Sequence, residues 1–362
     1  MANTRIYNFS SGPSTLPLPV LEKAAADMTN FRGSGMSVME MSHRSKLYLS
    51  IFNETKARLK SALNIPDTHE ILFMQGGATF QFSAVPLNLM GDGGTADYAL
   101  TGNFSTVASK EAKKFGTVNI AATSEDRGHT YIPAQGQLNL TPGAKYFHYC
   151  ANNTIYGTEW KYIPEANGVP LVCDMSSNIL SKPVDVSKYG IIYAGVQKNM
   201  GPAGMAVVII DKALAGAELP FTPKCMSYKT AIDKDSMDNT PPCYTIYMLG
   251  LVLEWLEAQG GIAGMEKLKA AKAKLLYDFI DGSAMFSGCA EPAARSDMNV
   301  TFTAGNEELD ALFVKEASAN GLETLKGHRL VNKMRASIYN AMPVEGVQAL
   351  VSFMKEFELR NK

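Results

Sequence analysis

The sequence predicts an α/β protein: a large domain on a mainly parallel sheet flanked by helices, then a smaller α+β C-terminal domain. Three observations predict it. Ile191-Ile192-Tyr193-Ala194 and Met205-Ala206-Val207-Val208-Ile209-Ile210 are unbroken apolar runs, and Gly168-Val169-Pro170-Leu171-Val172-Cys173 is a third that ends in Asp174. Apolar runs without alternation describe strands buried on both faces. Strand and helix patterns alternate as far as Asp211 and then weaken into a helix and strand mixture, as a smaller α+β unit requires. With 362 residues, the chain can bury a large core and form two domains.

In chain order, Asn8-Phe9-Ser10-Ser11-Gly12-Pro13 is a turn-rich entry. A helix is expected from about Pro19 to Thr29. Gly33 to Ser37 forms a loop leading to Glu40-Met41-Ser42-His43-Arg44, and a second helix runs from Leu47 to Leu63, with Ile51, Phe52, Ala57, Leu59 and Leu63 at helical spacing. Glu70 to Met74 reads as a strand. Beyond it, Gln75-Gly76-Gly77-Ala78-Thr79 precedes a helix opening at Phe80 to Val85. Small residues there let backbone N–H groups approach an oxyanion, and the helix dipole adds attraction. A plain tight turn accounts for the glycine pair equally well, and neither G-x-G-x-x-G nor G-x-x-x-x-G-K-[ST] occurs, so dinucleotide and P-loop readings lack support.

Asp97 to Leu100 is the next strand, and Phe104 lies just past its end, placed either to stack on a flat ring or to fill core. Thr240-Pro241-Pro242 breaks the chain before a long helix through Tyr247 to Glu257, and Gln259-Gly260-Gly261 is the hinge candidate. A helix from about Gly264 to Ile280, strands near Asn299 to Phe302 and Ala336 to Tyr339, and a helix from Pro343 to Glu358 make up the rest. The expected division is a large domain over 16–258 and a smaller one formed by 1–15 with 259–362.

Two residues carry the chemistry. Asp174 ends one buried run; Lys198 follows another and precedes the turn Gly201-Pro202-Ala203-Gly204. Open α/β sheets bind ligands beyond the carboxyl ends of their strands, so both side chains can face one cavity. Alone, Lys198 reads as a solvated lysine and Asp174 as a cap or turn residue. Together they suit pyridoxal phosphate, which needs an amine for its aldehyde and an anion beside its ring nitrogen. A free lysine titrates near pKa 10.4, so Lys198 must be desolvated or set beside positive charge to react. The other dense polar cluster is Lys326-Gly327-His328-Arg329, with Arg335 six residues on; a second His-Arg pair stands at His43-Arg44. Arginine forks match carboxylates and phosphates, and the alternative is a solvated basic loop.

Composition narrows the partners. Hydrophobic residues make up 46% and charged residues 19%, and 34 basic against 35 acidic residues leave a net charge of −1, with no electrostatic footprint for nucleic acid or an acidic membrane. Five scattered cysteines lack metal-ligand spacing and fit reduced thiols, so no metal is expected. The first residues carry no apolar signal core and no run approaches 18 apolar residues, so a soluble cytoplasmic protein is expected.

Several strings then point to one family. They are the Asn8 to Pro13 opening, Ser42-His43-Arg44, Ala84-Val85-Pro86-Leu87-Asn88, Tyr193-Ala194-Gly195-Val196-Gln197-Lys198, Gly327-His328-Arg329 and the run Met334 to Pro343. By these the chain resembles the phosphoserine aminotransferases, class V aminotransferases of the fold-type I pyridoxal-phosphate enzymes, over nearly its whole length. The resemblance implies a seven-stranded sheet, a Schiff base at Lys198 and a ring-nitrogen partner in Asp174. It places Phe104 over the ring face and Thr154 near the ring oxygen. Ala78, Thr79, Ser176 and Gln197 would hold the phosphate, with Asn239 and Thr240 reaching in from the second subunit of a homodimer whose sites lie at the interface.

The resemblance also makes Arg335 the clamp for the α-carboxylate and gives His43, Arg44, His328 and Arg329 the distal phosphate or γ-carboxylate. Its substrates would be L-glutamate, 3-phosphohydroxypyruvate and O-phosphoserine. Some family members carry arginine where this chain has Thr79. The alternatives are another class V enzyme, such as a small-amino-acid transaminase or a cysteine desulfurase, and a pyridoxal-phosphate or anion-binding protein without turnover.

Overall fold

The computed structural model describes residues 5–361; the first four positions, which open the sequence read above, and the last lie outside it. Its centre is a seven-stranded sheet. Across it the order is His69–Gln75, Met205–Asp211, Ile191–Gly195, Leu171–Asp174, Phe147–Cys150, Thr95–Leu100 and Thr117–Thr123. Met205–Asp211 runs antiparallel to both neighbours and the remaining pairings are parallel, as the apolar runs predicted. Val207, Val208, Ile209 and Ile210 are fully buried, which is why that strand shows no polar alternation.

Helices cover both faces. Lys46–Ala62 and Cys243–Ala258 pack on one side, where Phe52, Leu59, Ile246 and Leu249 share a core with Phe147 and Ile192. Gly77–Leu89 and Asn103–Ala112 pack on the other, where Phe82, Val85 and Ala108 meet Tyr98, Val172 and Tyr193. A third core lies under the last part of the chain. It joins helices Gly261–Gly282, Glu307–Ala319 and Val344–Arg360 to the strands Asn299–Thr303 and Met334–Ser337 through Phe302, Phe313, Phe353 and Phe357. Phe9 belongs to this core, and the short strand Tyr7–Asn8 pairs in parallel with Leu322–Glu323.

Two local expectations are corrected and one helix is added. The helix expected to open at Phe80 begins at Gly77, because Gly76 turns the chain with φ +87° at a place where a Cβ would stand 2.4 Å from the Phe80 ring. The strand expected at Ala336–Tyr339 lies at Met334–Ser337, where pairing with Asn299–Phe302 sets Thr301 opposite Arg335. The helix Glu307–Ala319, capped by the Asn306 side chain, had not been read from the sequence; with only Asp310, Phe313 and Ala317 buried, its apolar stripe is thin.

Candidate active site

Leu171–Asp174 and Ile191–Gly195 are neighbouring parallel strands in a register that sets Asp174 opposite Tyr193. Their carboxyl ends therefore open at the same edge of the sheet. Ser176 ties them together: its N–H donates to Asp174 Oδ1 at 2.9 Å, and its hydroxyl oxygen accepts from the Gly195 N–H at 2.9 Å. Three residues past Gly195, Lys198 sits in a tight turn closed by bonds from the Met200 and Gly201 N–H groups to the Val196 carbonyl, at 3.1 and 2.9 Å.

Lys198 is 9% exposed, so the solvated-lysine reading fails. Its Nζ donates to Thr154 Oγ1 at 2.8 Å and stands 5.4 Å from the centroid of the Phe104 ring, within cation–π reach. Arg335 Nη1 donates to the carbonyl of the same Thr154 at 3.2 Å, while Arg335 Nε is buried without a partner. One residue thus joins the amine to the guanidinium. The N-terminal turn closes the other side: the Ser14 hydroxyl donates to the Lys198 carbonyl, and a Cβ on Gly12, whose φ is +133°, would lie 3.3 Å from Lys198 Cγ.

Burial draws the Lys198 amine down to about 8; the Asp174 carboxylate pulls it back up, and the Arg335 charge pushes it further down. Asp174 is raised by burial, against which the Ser176 bonds and the Lys198 charge act. Burial lowers Arg335 from a starting point so high that it stays cationic. His328 is lowered by burial and by the Arg335 and Arg329 charges.

The other sequence-derived positions fall in three groups. Ala78 and Thr79 occupy the first turn of helix Gly77–Leu89, whose N-terminus receives no side-chain cap, and Gln197 beside Lys198 keeps a buried Oε1 without a partner. Arg44 is exposed and Arg329 is exposed, whereas His43 is half-buried with its Nε2 buried and unpartnered. Asn239 and Thr240 are exposed: the Thr240 carbonyl accepts from Gln75 Nε2 at 2.8 Å, and Asn239 lines a cavity of about 640 Å³ with Gly76 and Phe80.

Sequence reasoning missed three members of this cluster. Ser14 holds the Lys198 backbone. Asn199 accepts the Asn340 N–H at 3.0 Å and donates to the Ile179 carbonyl at 3.0 Å. Tyr339 donates to the Ser11 carbonyl at 2.9 Å and accepts from Asn299 Nδ2 at 3.2 Å. All three act through partners far away in sequence, which no spacing rule connects. Among the described residues, no group of three or more His, Cys, Asp or Glu side chains is arranged to hold a metal ion, and no helix is long and apolar enough to cross a membrane.

The profile of the aminotransferase class-V family matches residues 6–350. A phosphoserine aminotransferase of Janthinobacterium sp. (strain Marseille) is 52% identical over 357 residues, covering 98% of each chain. The chain belongs to the phosphoserine aminotransferase family of class V. Solved members of this family superpose closely. The phosphoserine aminotransferase of Bacillus circulans subsp. alkalophilus matches with a TM-score of 0.97 at 44% identity, covering 99% of both chains. That of Trichomonas vaginalis, solved with PLP bound, matches with a TM-score of 0.91 at 42% identity over 97% of this chain and all of its own.

Proposed function

We propose that this chain is a pyridoxal-phosphate-dependent phosphoserine aminotransferase, moving the amino group between L-glutamate and 3-phosphohydroxypyruvate to give O-phospho-L-serine and 2-oxoglutarate. The carrying observation is the convergence of a buried amine, a buried carboxylate and a buried guanidinium, with Thr154 bonded to both cations. The site residues fit the cofactor. Asp174 offers an anion within charge range of Lys198, Phe104 a ring face, and the uncapped helix start at Ala78 and Thr79 unspent N–H groups for a phosphate. Gln197 and Ser176 add polar groups beside them, and the amide of Gln197 needs a partner.

When bound, pyridoxal phosphate supplies an aldehyde for the amine and a ring that accepts the electron pair left at the substrate Cα. Lys198 Nζ, held at the Thr154 hydroxyl, is the base that takes the Cα proton and the acid that returns one. Asp174 would supply the negative charge that keeps a ring nitrogen protonated, a role its Ser176 bond supports by orienting one oxygen. Arg335 has one donor engaged with the Thr154 carbonyl and its Nε unspent, which leaves the fork for a carboxylate. His43, Arg44, His328 and Arg329 take the distal phosphate or γ-carboxylate.

Arg335→Ala is expected to weaken both substrates more than it slows chemistry. Losing a charge-assisted carboxylate clamp costs about 3 kcal/mol, so KM for glutamate and for the keto acid should each rise roughly a hundredfold. Steady-state kinetics with each substrate varied would show it, and an unchanged pair of KM values would remove Arg335 from the site.

The lowered Lys198 pKa gives a pH expectation. Only the neutral amine captures an aldehyde, so the rate at which the cofactor-free protein takes up pyridoxal phosphate should rise with pH and level off above about 8. Stopped-flow absorbance between pH 6 and 10 reads this directly. A midpoint near 10 would mean an ordinary solvated lysine.

The same reading includes a homodimer, with Asn239 and Thr240 serving the partner's cofactor; their exposure beside the half-exposed Phe80 supports it. It includes a cytoplasmic location and a division into a large domain over 16–258 and a smaller one of 1–15 with 259–362. The pairing of Tyr7–Asn8 with Leu322–Glu323 supports that division, its first four residues lying outside those described.

A further inference from the structure

Helix Gly261–Gly282 buries two lysines. Lys269 has an acidic partner, Asp297, at 3.1 Å. Lys272, 1% exposed, makes no ion pair among the described residues. Its Nζ donates instead to three backbone carbonyls of one turn: Tyr339 at 2.6 Å, Met342 at 2.9 Å and Asn340 at 3.4 Å. An ammonium has three donors and no acceptor, and this turn presents three acceptors. Burial without a counter-ion draws this amine down to about 7, a cost an apolar chain of similar length would avoid, at the expense of leaving the Asn340 and Met342 carbonyls without this donor. Packing alone therefore does not call for this lysine.

What the turn holds does. Upstream it continues from the strand Met334–Ser337, which carries Arg335. Within it, the Asn340 N–H donates to Asn199 Oδ1 at 3.0 Å, and Asn340 Nδ2 to the Leu180 carbonyl at 2.9 Å. Asn199 is the residue after Lys198. The Tyr339 hydroxyl reaches the Ser11 carbonyl of the N-terminal turn that packs on Lys198. The turn is thus the backbone bridge between the carboxylate clamp and the base.

We propose that Lys272 is a positioning residue for the transamination: its ammonium fixes the 339–342 turn and, through the Asn340 to Asn199 bond, sets Arg335 and Lys198 at their working separation. This rests on the phosphoserine aminotransferase reading. Lys272 touches neither substrate nor cofactor and moves no proton.

The test compares the wild-type holoenzyme with Lys272→Met, Lys272→Arg, Asn199→Ala and the Lys272→Met/Asn199→Ala double variant. In Lys272→Met, KM for glutamate is expected to rise roughly five- to tenfold with kcat within about twofold, the scale of one or two lost hydrogen bonds, while the thermal midpoint falls by a few degrees because the turn's carbonyls lose their donor. Lys272→Arg, which keeps a cationic donor, should stay within about threefold of wild-type KM. The double variant should be no worse than the more affected single, because both break one link. Amide exchange of the 338–342 segment in the cofactor-free protein should quicken about tenfold in Lys272→Met and also in Asn199→Ala, which leaves the lysine intact.

Multiplicative KM effects, a Lys272→Arg enzyme as impaired as Lys272→Met, or unchanged exchange in Asn199→Ala would each overturn the proposal. A wild-type chain inert toward both glutamate and 3-phosphohydroxypyruvate would sink the activity reading, whereas an active wild type indistinguishable from Lys272→Met sinks only the positioning role of Lys272.

Discussion

Lys198→Ala is expected to lower kcat by roughly ten-thousand-fold, the upper range for removing a general acid–base group, and to abolish the visible absorbance of lysine-bound cofactor. The amine is the group whose Nζ both reaches the Thr154 hydroxyl and lies over the Phe104 ring, so no neighbour can replace it. Arg335 stays cationic at working pH. The fold should survive, because the substitution removes a buried cation and strands only the Thr154 hydroxyl. A coupled assay with glutamate and 3-phosphohydroxypyruvate measures the loss, with the thermal midpoint as control. Near-normal turnover in a well-folded variant would contradict the role given to Lys198.

The second largest effect is expected from Asp174→Asn. Asparagine keeps the shape and an oxygen for the Ser176 N–H, so the change isolates charge. At about 4 Å and an effective dielectric near 20, an opposite charge is worth about 4 kcal/mol, or roughly three pKa units on the ring nitrogen. A fall in kcat of about a thousandfold follows. A second readout moves with it. Because the Asp174 carboxylate raises the Lys198 pKa, removing the charge should shift the midpoint for cofactor capture to lower pH than wild type. A variant with kcat within tenfold of wild type and an unmoved midpoint would show that Asp174 faces elsewhere.

Much of this site was legible because its parts are local. An unbroken apolar strand announces two buried faces, and a polar residue at its carboxyl end sits at the rim where α/β sheets bind ligands. That logic located Asp174 and Lys198 and also the glycine turn before Ala78. It failed where packing makes the decision. The helix Glu307–Ala319 has too thin an apolar stripe to announce itself, and the start at Gly77 depends on the Phe80 ring crowding Gly76. Strand bounds near Arg335 were set by a partner strand more than thirty residues earlier in the chain.

By itself, then, the chain's order of residues determined the alternating architecture, an acid and an amine as candidates at neighbouring strand ends and the family whose strings it carries, since each is written in neighbouring residues. The tertiary structure alone decided that Thr154 bonds both the amine and the guanidinium, that Ser14 and Gly12 close over Lys198, and that Lys272 holds the turn beyond Arg335. Such contacts join segments up to almost two hundred positions apart. Their geometry follows from how three cores pack, and no periodicity along the chain encodes it.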